Sequence, residues 1–174
     1  MTAIPIAATV ARRVRETRDI FSLWLRPVGV SRPFAFSPGQ FNMLGLHGIG
    51  EVPISIVETT SGGRLIMHTV RDAGRVTHGL AALGEGDALG LRGPYGRGWP
   101  LAEARGGDLL FVTGGLGCAP VLSAIQHVLA NRGDFGELTV LQGVRHSEDL
   151  IWRERYAAWQ REAGVRVLLA ADVG

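Results

Sequence analysis

Asp108-Leu109-Leu110-Phe111-Val112-Thr113-Gly114-Gly115-Leu116-Gly117-Cys118-Ala119-Pro120 carries an apolar strand into a glycine turn and on into the helix pattern Val121-Leu122-Ser123-Ala124-Ile125. Strand, turn and helix in that order make an anion site. Unpartnered N–H groups at the helix start converge, the helix dipole adds roughly half a positive charge, and glycines leave the main chain bare to a pyrophosphate. The reading is a dinucleotide-binding turn; the alternative is a tight strand-to-helix connection with no ligand. Two familiar phosphate loops are excluded. A Walker loop ends in Gly-Lys-Ser/Thr, and this chain has no lysine. The ordinary Rossmann fingerprint needs Gly or Ala where Pro120 stands, and an acid after the second strand, where Gly143-Val144-Arg145 stands.

Outward from the turn, the rhythm is that of a parallel sheet: strand 108–113, helix 117–131, strand 137–142, helix 147–163 and strand 165–170. Residues before it read as short strands over 6–15, 20–26, 40–47, 52–59, 64–71 and 87–92, with a short helix near Val76–Leu83. That is a barrel or sandwich pattern. The expected fold is therefore β plus α/β: an antiparallel barrel over 1–100, a linker near Trp99–Gly107, and a truncated parallel α/β domain over 106–174. Three strands and two helices are half of a nucleotide-binding sheet, so the expectation is a fragment or a sheet that a partner completes.

With 174 residues, 46% of them hydrophobic and 20% charged, the chain can bury one large core or two small ones. The net charge of +2 is small and the arginines are interspersed with acids, so nucleic-acid binding gains no support. One cysteine excludes an intrachain disulfide or a Cys-rich metal site. Residues 109–131 carry no formal charge over a length that could cross a bilayer, but Gly114, Gly115, Gly117 and Pro120 interrupt them. No membrane insertion is expected, nor does the amino terminus show a signal-peptide pattern, and the single cysteine points to the cytoplasm.

The chain resembles the ferredoxin:NADP reductase superfamily. The carriers are Phe36-Ser37-Pro38-Gly39-Gln40-Phe41, Val52-Pro53-Ile54-Ser55-Ile56, Gly74-Arg75-Val76-Thr77, Gly93-Pro94-Tyr95-Gly96, Thr113-Gly114-Gly115-Leu116-Gly117 and Gly143-Val144-Arg145. The Pro-Ile-Ser-Ile form is most similar to the electron-transfer branch with dihydroorotate dehydrogenase B, sulfhydrogenase gamma and anaerobic sulfite reductase flavoprotein subunits. The resemblance implies an FAD-binding barrel followed by an NAD(P)H-binding domain.

It also implies residue roles. The family reads Arg-x-Tyr-Ser where Val52-Pro53-Ile54-Ser55 stand here: Arg on the FAD pyrophosphate, Tyr stacked on the isoalloxazine, Ser near flavin N5. Only the serine is kept. Ser55 is thus the catalytic candidate, Pro53, Ile54 and Ile56 supply an apolar surface, and Arg71 or Arg75 takes over the phosphate charge. Gly74, Val76 and Thr77 would present N–H groups to the diphosphate; Thr77 reads equally well as a helix cap. Gly93, Pro94, Tyr95 and Gly96 would line the nicotinamide approach. Thr113, Gly114, Gly115 and Gly117 would hold the nicotinamide ribose and pyrophosphate. Arg145 is either a contact to the adenosine side or a solvated loop residue. Asp172, after the third strand, would accept from a ribose hydroxyl and repel a 2′-phosphate, which favours NAD over NADP.

Other residues draw blander readings. Cys118 reads as a small buried side chain. The histidines lack metal-ligand spacing, with His68 on a barrel strand and no metal site expected. Trp152, Tyr156 and Trp159 share a helix face that packs on the sheet.

The implied reaction is hydride transfer between nicotinamide C4 and flavin N5 across the cleft between the two domains, with reacting atoms within about 3–3.5 Å, then one-electron steps to a partner of hydrogenase, sulfite reductase or dihydroorotate dehydrogenase type. Relatives carry a Cys-Gly-Pro strand end and cysteines for a 2Fe–2S cluster beyond this point; a 2Fe–2S centre must come from a further segment or a partner. The rival is a flavin- or nucleotide-binding interaction module of a larger redox complex without turnover of its own.

Overall fold

The computed structural model describes residues 4–174. They divide into two compact units, Met1–Gly98 and Trp99–Gly174.

The first unit is one antiparallel sheet. Its strands are β1 (Ile6–Arg15), β2 (Ile20–Pro27), β3 (Phe41–Leu46), β4 (Gly50–Ser55), β5 (Glu58–Thr60), β6 (Leu65–Arg71) and β7 (Ala88–Tyr95), with α1 (Arg75–Ala81) between β6 and β7. The order is β4-β3-β7-β1-β2-β6-β5. The two end strands, β4 and β5, are consecutive in the chain, so the sheet curls until its edges are joined by Ile56 and Val57. The Ile56 N–H donates to Gln40 on the β3 side at 3.0 Å, and the Val57 N–H to Met67 of β6 at 2.9 Å. This corner corrects the expected single strand over 52–59. Both corner residues are fully buried, and turning the chain there satisfies the main chain on both sides of the seam.

Phe21, Leu23 and Leu25 of β2, Leu44, Ile66, Leu91 and Ile56 meet inside the curled sheet. Leu80 of α1 plugs one end, where Gly79 lets the helix lie close against the Leu46 side chain. Pro53, which has no N–H to give, lies on an end strand paired on one side only.

The second unit is a three-stranded parallel sheet, order β10-β9-β8, from β8 (Leu109–Gly114), β9 (Leu138–His146) and β10 (Val165–Val173). Residues 99–107 are tied into it: the Trp99 indole donates to the Pro120 carbonyl at 3.0 Å, and the Gly106 N–H to the Asp134 carbonyl at 2.8 Å. A 3-10 turn over Gly115–Cys118 precedes α2 (Ala119–Ala130), so the expected helix starts as a tighter turn, with Pro120 in the first turn of α2.

The expected helix over 147–163 is shorter. Ser147–Asp149 form a 3-10 turn, Trp152 sits left-handed at φ +59, and only α3 (Arg153–Trp159) is α-helical. A left-handed residue cannot continue a right-handed helix backward, so Trp152 falls outside the face that Tyr156 and Trp159 share. Those two rings pack edge to face at 5.4 Å. The third strand runs to Val173 instead of 170, which puts Asp172 inside it. Among the described residues no helix is long and apolar enough to cross a membrane.

Candidate functional site

In the first unit the candidate residues gather along β4 and its neighbours. Phe41 of β3 pairs with Ser55 on one side and Tyr95 on the other, so those two lie at one level, flanking one residue. Pro53 is exposed, and Ile54 and Ser55 are half-buried. The Ser55 hydroxyl has no protein partner among the described residues, which leaves it free for a ligand. Ile56 is turned into the core and its role is packing.

Behind Ser55 stands a buried pair that sequence reasoning missed. His68 Nδ1 lies 2.9 Å from the Ser55 carbonyl oxygen, and His68 Nε2 lies 3.2 Å from Asn42 Nδ2. An amide nitrogen only donates and a carbonyl only accepts, so the ring is neutral with its proton on Nδ1. Burial lowers the His68 pKa to about 4, against the partly compensating pull of the Ser55 and Ile54 backbone. Asn42 Oδ1 is buried without a protein partner. A Cβ at Gly93 would overlap that amide, and with φ at +147 this position requires glycine. His68, Asn42 and Gly93 thus hold β6, β3 and β7 around the Ser55 strand. The one signal in the sequence was a lone histidine inside an apolar strand.

Gln40 joins two further motifs. Its side chain accepts from the Ser37 N–H at 2.7 Å and donates to the Gly96 carbonyl at 2.9 Å. Gly96, at φ +84, lies against the Phe41 ring, whose centroid is 5.9 Å from that of Tyr95. Arg92 donates to Glu51 at 3.1 Å and to the Tyr95 hydroxyl at 3.3 Å, which fixes the tyrosine from its far end. Pro94 is half-buried near the end of β7.

A diphosphate needs charge and donors, and α1 offers both. The N–H groups of Arg75, Val76 and Thr77 have no acceptor inside the helix, since the first intrahelical bond is from His78 to Gly74. The Thr77 hydroxyl is taken up by capping: it accepts from Ala73 and Gly74 at 3.0 and 2.8 Å and donates to the Gly74 carbonyl at 2.9 Å. Arg71 is paired with Asp19 at 3.2 Å. Arg75 is exposed and has no partner among the described residues. Of the two candidate arginines, Arg75 is the one with charge to spare. Val76 packs beside Gly50, at the opposite end of β4 from Ser55 and about 17 Å of extended strand away. That run of residues is long enough for an extended flavin dinucleotide.

In the second unit the glycine turn is open. Gly114 and Gly117 have nothing within 4 Å of where a Cβ would stand, and Gly115 sits at φ +51. The turn is locked from below by Gln142, another residue missed in the sequence and 1% exposed. Its side-chain oxygen accepts from the Thr113 hydroxyl, and its nitrogen donates to the carbonyls of Gly115 and Gly143 at 2.9 and 3.2 Å. Room above and a lock beneath fit a diphosphate at this turn. Thr113 faces Gln142, so its hydroxyl serves the turn.

Arg145 and Asp172 are both exposed. Val144 pairs with Ala171 and His146 with Val173, which sets Arg145 level with Asp172 on adjacent strands. Gly114 pairs with Gly143, two residues earlier in β9. All three positions therefore lie at the carboxyl end of the parallel strands, the end where such sheets bind ligands. Cys118 is buried against Tyr156, whose hydroxyl is pushed up by burial first and by Cys118 second. Among the described residues no group of three or more His, Cys, Asp or Glu could hold a metal.

A curled antiparallel sheet and a parallel sheet with an open glycine turn define the class of a two-unit, ferredoxin reductase-like fold. The family model described as "Oxidoreductase NAD-binding domain" matches residues 111–172. The gamma subunit of sulfhydrogenase 1 from Pyrococcus furiosus is 36% identical over 143 residues, 82% of this chain and 49% of the relative. A probable dihydroorotate dehydrogenase B (NAD(+)) electron transfer subunit from Methanocella arvoryzae is 35% identical over 168 residues, 97% of this chain and 58% of the relative.

Among solved structures, the Amycolatopsis cytochrome P450 reductase GcoB superposes with a TM-score of 0.78 at 28% identity, over 94% of this chain and 50% of that one. The NADH-dependent reduced ferredoxin-NADP oxidoreductase gives 0.76 at 26% identity, over 99% of this chain and 58% of that one. In sequence and in fold the chain is ferredoxin reductase-like, and its second unit matches an oxidoreductase NAD-binding domain. The chain spans about half the length of the curated relatives it matches.

Proposed function

We propose that this chain is the FAD- and NAD(P)H-binding part of an electron-transfer subunit that passes reducing equivalents from a pyridine nucleotide to a partner redox subunit. The observation that carries the reading is the open glycine turn Gly114–Gly117, backed by Gln142 at the carboxyl end of a parallel sheet. The bound flavin would supply hydride acceptance from the nicotinamide and one-electron delivery onward.

The chain's own residues bind and orient. Ile54 and Pro53 offer an apolar surface, Ser55 a hydroxyl donor, Tyr95 and Gly96 a wall, and Arg75 with the first N–H groups of α1 the charge for the diphosphate. Gly114 to Gly117 would take the nicotinamide ribose and pyrophosphate, with Thr113 bracing the turn through Gln142. Asp172 at the strand end favours NAD, since a carboxylate accepts from a free ribose hydroxyl and repels a phosphate. The relatives' names support a hydrogenase- or dihydroorotate dehydrogenase-type partner, and such a partner, or a further segment, would supply a 2Fe–2S centre. A cytoplasmic location fits this role.

Purified protein should show the visible bands of oxidised flavin and reduce a dye with NADH faster than with NADPH. Ser55→Ala should slow flavin reduction by NADH about tenfold, the loss of one hydrogen bond to a polar ligand atom. A second reading is a flavin-binding module without turnover. It is favoured by Val52, which packs on the core where the family has the phosphate-pairing arginine. Flavin bands with no dye reduction would establish that reading; neither bands nor reduction would defeat both.

A further inference from the structure

We propose that the first unit carries a second anion site, apart from the diphosphate residues of α1, that takes a small organic ligand with two or more phosphate or carboxylate groups. The site is a cavity of about 570 Å³ lined by Arg26, Pro27, Val30, Ser31, Arg32 and Phe34 on one side and by Ser61, Gly63, Arg64 and Leu65 on the other.

Three separate segments each send one arginine to it: the end of β2, the loop after β2, and the hairpin between β5 and β6. No Asp or Glu lines it, and none of the three guanidinium groups has a hydrogen bond or ion pair among the described residues. Several other arginines of this unit are paired, while Arg18, Arg75 and Arg97 stand singly outside this cavity. Arg71 pairs with Asp19, Arg92 with Glu51, Arg13 donates to the Ala81 carbonyl, and Arg12 lies over the Trp24 ring at 4.8 Å. A second cavity on this unit gathers Arg13, Arg15 and Arg18 but includes Asp19 and Asp72, so its charge is largely balanced. The 570 Å³ cavity is not balanced. The lining carries three arginines and no acid, and an oxyanion matches the planar guanidinium fork that each of them offers.

The cavity walls are fixed before any ligand arrives. The Phe34 N–H donates to the Gly63 carbonyl at 2.9 Å, and a Cβ at Gly63 would stand 2.8 Å from Pro33, so the loop is clamped on the hairpin. The volume lies in the range of small-molecule sites. Ser31 and Ser61 add hydroxyl donors, and Val30, Phe34 and Leu65 leave an apolar wall, so the ligand carries an organic body as well as charge. The site is distinct from the diphosphate residues of α1. Leu65 and Arg71 are opposite ends of β6, about 20 Å apart.

Isothermal titration with pyrophosphate and, separately, citrate tests this on the purified chain saturated with FAD and NADH, so that the coenzyme sites are filled. At least one probe binds, its affinity falls as NaCl is raised, and Arg32→Gln/Arg64→Gln weakens it about a hundredfold. Arg15→Gln/Arg18→Gln, with the same loss of two charges outside the cavity, leaves the affinity unchanged. The probe that binds tells phosphate from carboxylate. Circular dichroism confirms that the double variant folds. Wild-type protein that binds neither probe, or a double variant that binds as well as wild type, overturns the proposal. If the purified chain takes up no FAD, the coenzyme reading has failed and this titration is still run, with the same outcomes.

Discussion

His68 is fully buried with both ring nitrogens engaged, so a proton added to Nε2 would displace Asn42 and place a charge in an apolar core. Its pKa falls from 6.5 unfolded to about 4 folded, so between those values the unfolded chain binds more protons and stability rises with pH. The contribution is fully present above the unfolded value and is lost as pH falls through 6.5 toward 4, of order 3 kcal/mol in all. Urea unfolding at several pH values should show this slope. His68→Gln should be less stable at pH 7 and should flatten the slope between pH 4 and 6.5. An unchanged slope in the variant would assign the acid sensitivity to other groups. The sequence placed His68 on its strand, because alternation is local. Its partners Asn42 and Ser55 lie 26 and 13 residues away, and no local pattern announces them. Arg71 shows the same limit, since its pairing with Asp19 depends on the sheet bringing β2 and β6 together.

At the scale of elements, the glycine turn was legible because everything it needs is consecutive: an apolar strand, glycines, then a helix with proline in its first turn. The lock beneath it was not. Gln142 reaches Thr113 and Gly115 only because β8 and β9 run parallel in a register that pairs Thr113 with Gln142. Gln142→Leu removes the donor to the Gly115 carbonyl and leaves the Thr113 hydroxyl only its long 3.4 Å bond to the Leu141 carbonyl, a loss of about 1–3 kcal/mol from the second unit. NADH affinity, measured by fluorescence titration, should fall about tenfold as the turn loosens. Full affinity in a folded variant would show that the turn is rigid without its lock. Elements that depart from the expected ones do so for tertiary reasons. The strand over 52–59 breaks at Ile56 because the curled sheet must close there. The helix over 147–163 shrinks because Ile151 is buried and Trp152 turns left-handed, a cost that nothing in the residues' own periodicity foretells.

At the scale of the whole molecule, the change of rhythm at Asp108 announced two kinds of sheet, and the structure separates them into two units with the second beginning at Trp99. Each unit holds one candidate coenzyme site in its own residues, so stabilisation by ligand should be separable. A ligand that binds only the folded form adds about 2.7 kcal/mol at a hundred times its dissociation constant, and it acts on the unit that holds it. Calorimetry with FAD alone should therefore raise the melting of the first unit, and NADH alone that of the second. Gly115→Val places a β-branched side chain at φ +51 and over the open turn, so the NADH shift should vanish while the FAD shift stays. Arg75→Gln removes the unpartnered charge at α1, so the FAD shift should shrink while the NADH shift stays. Loss of the FAD shift in Gly115→Val, or of the NADH shift in Arg75→Gln, would mean that the two sites do not divide between the units as their residues do.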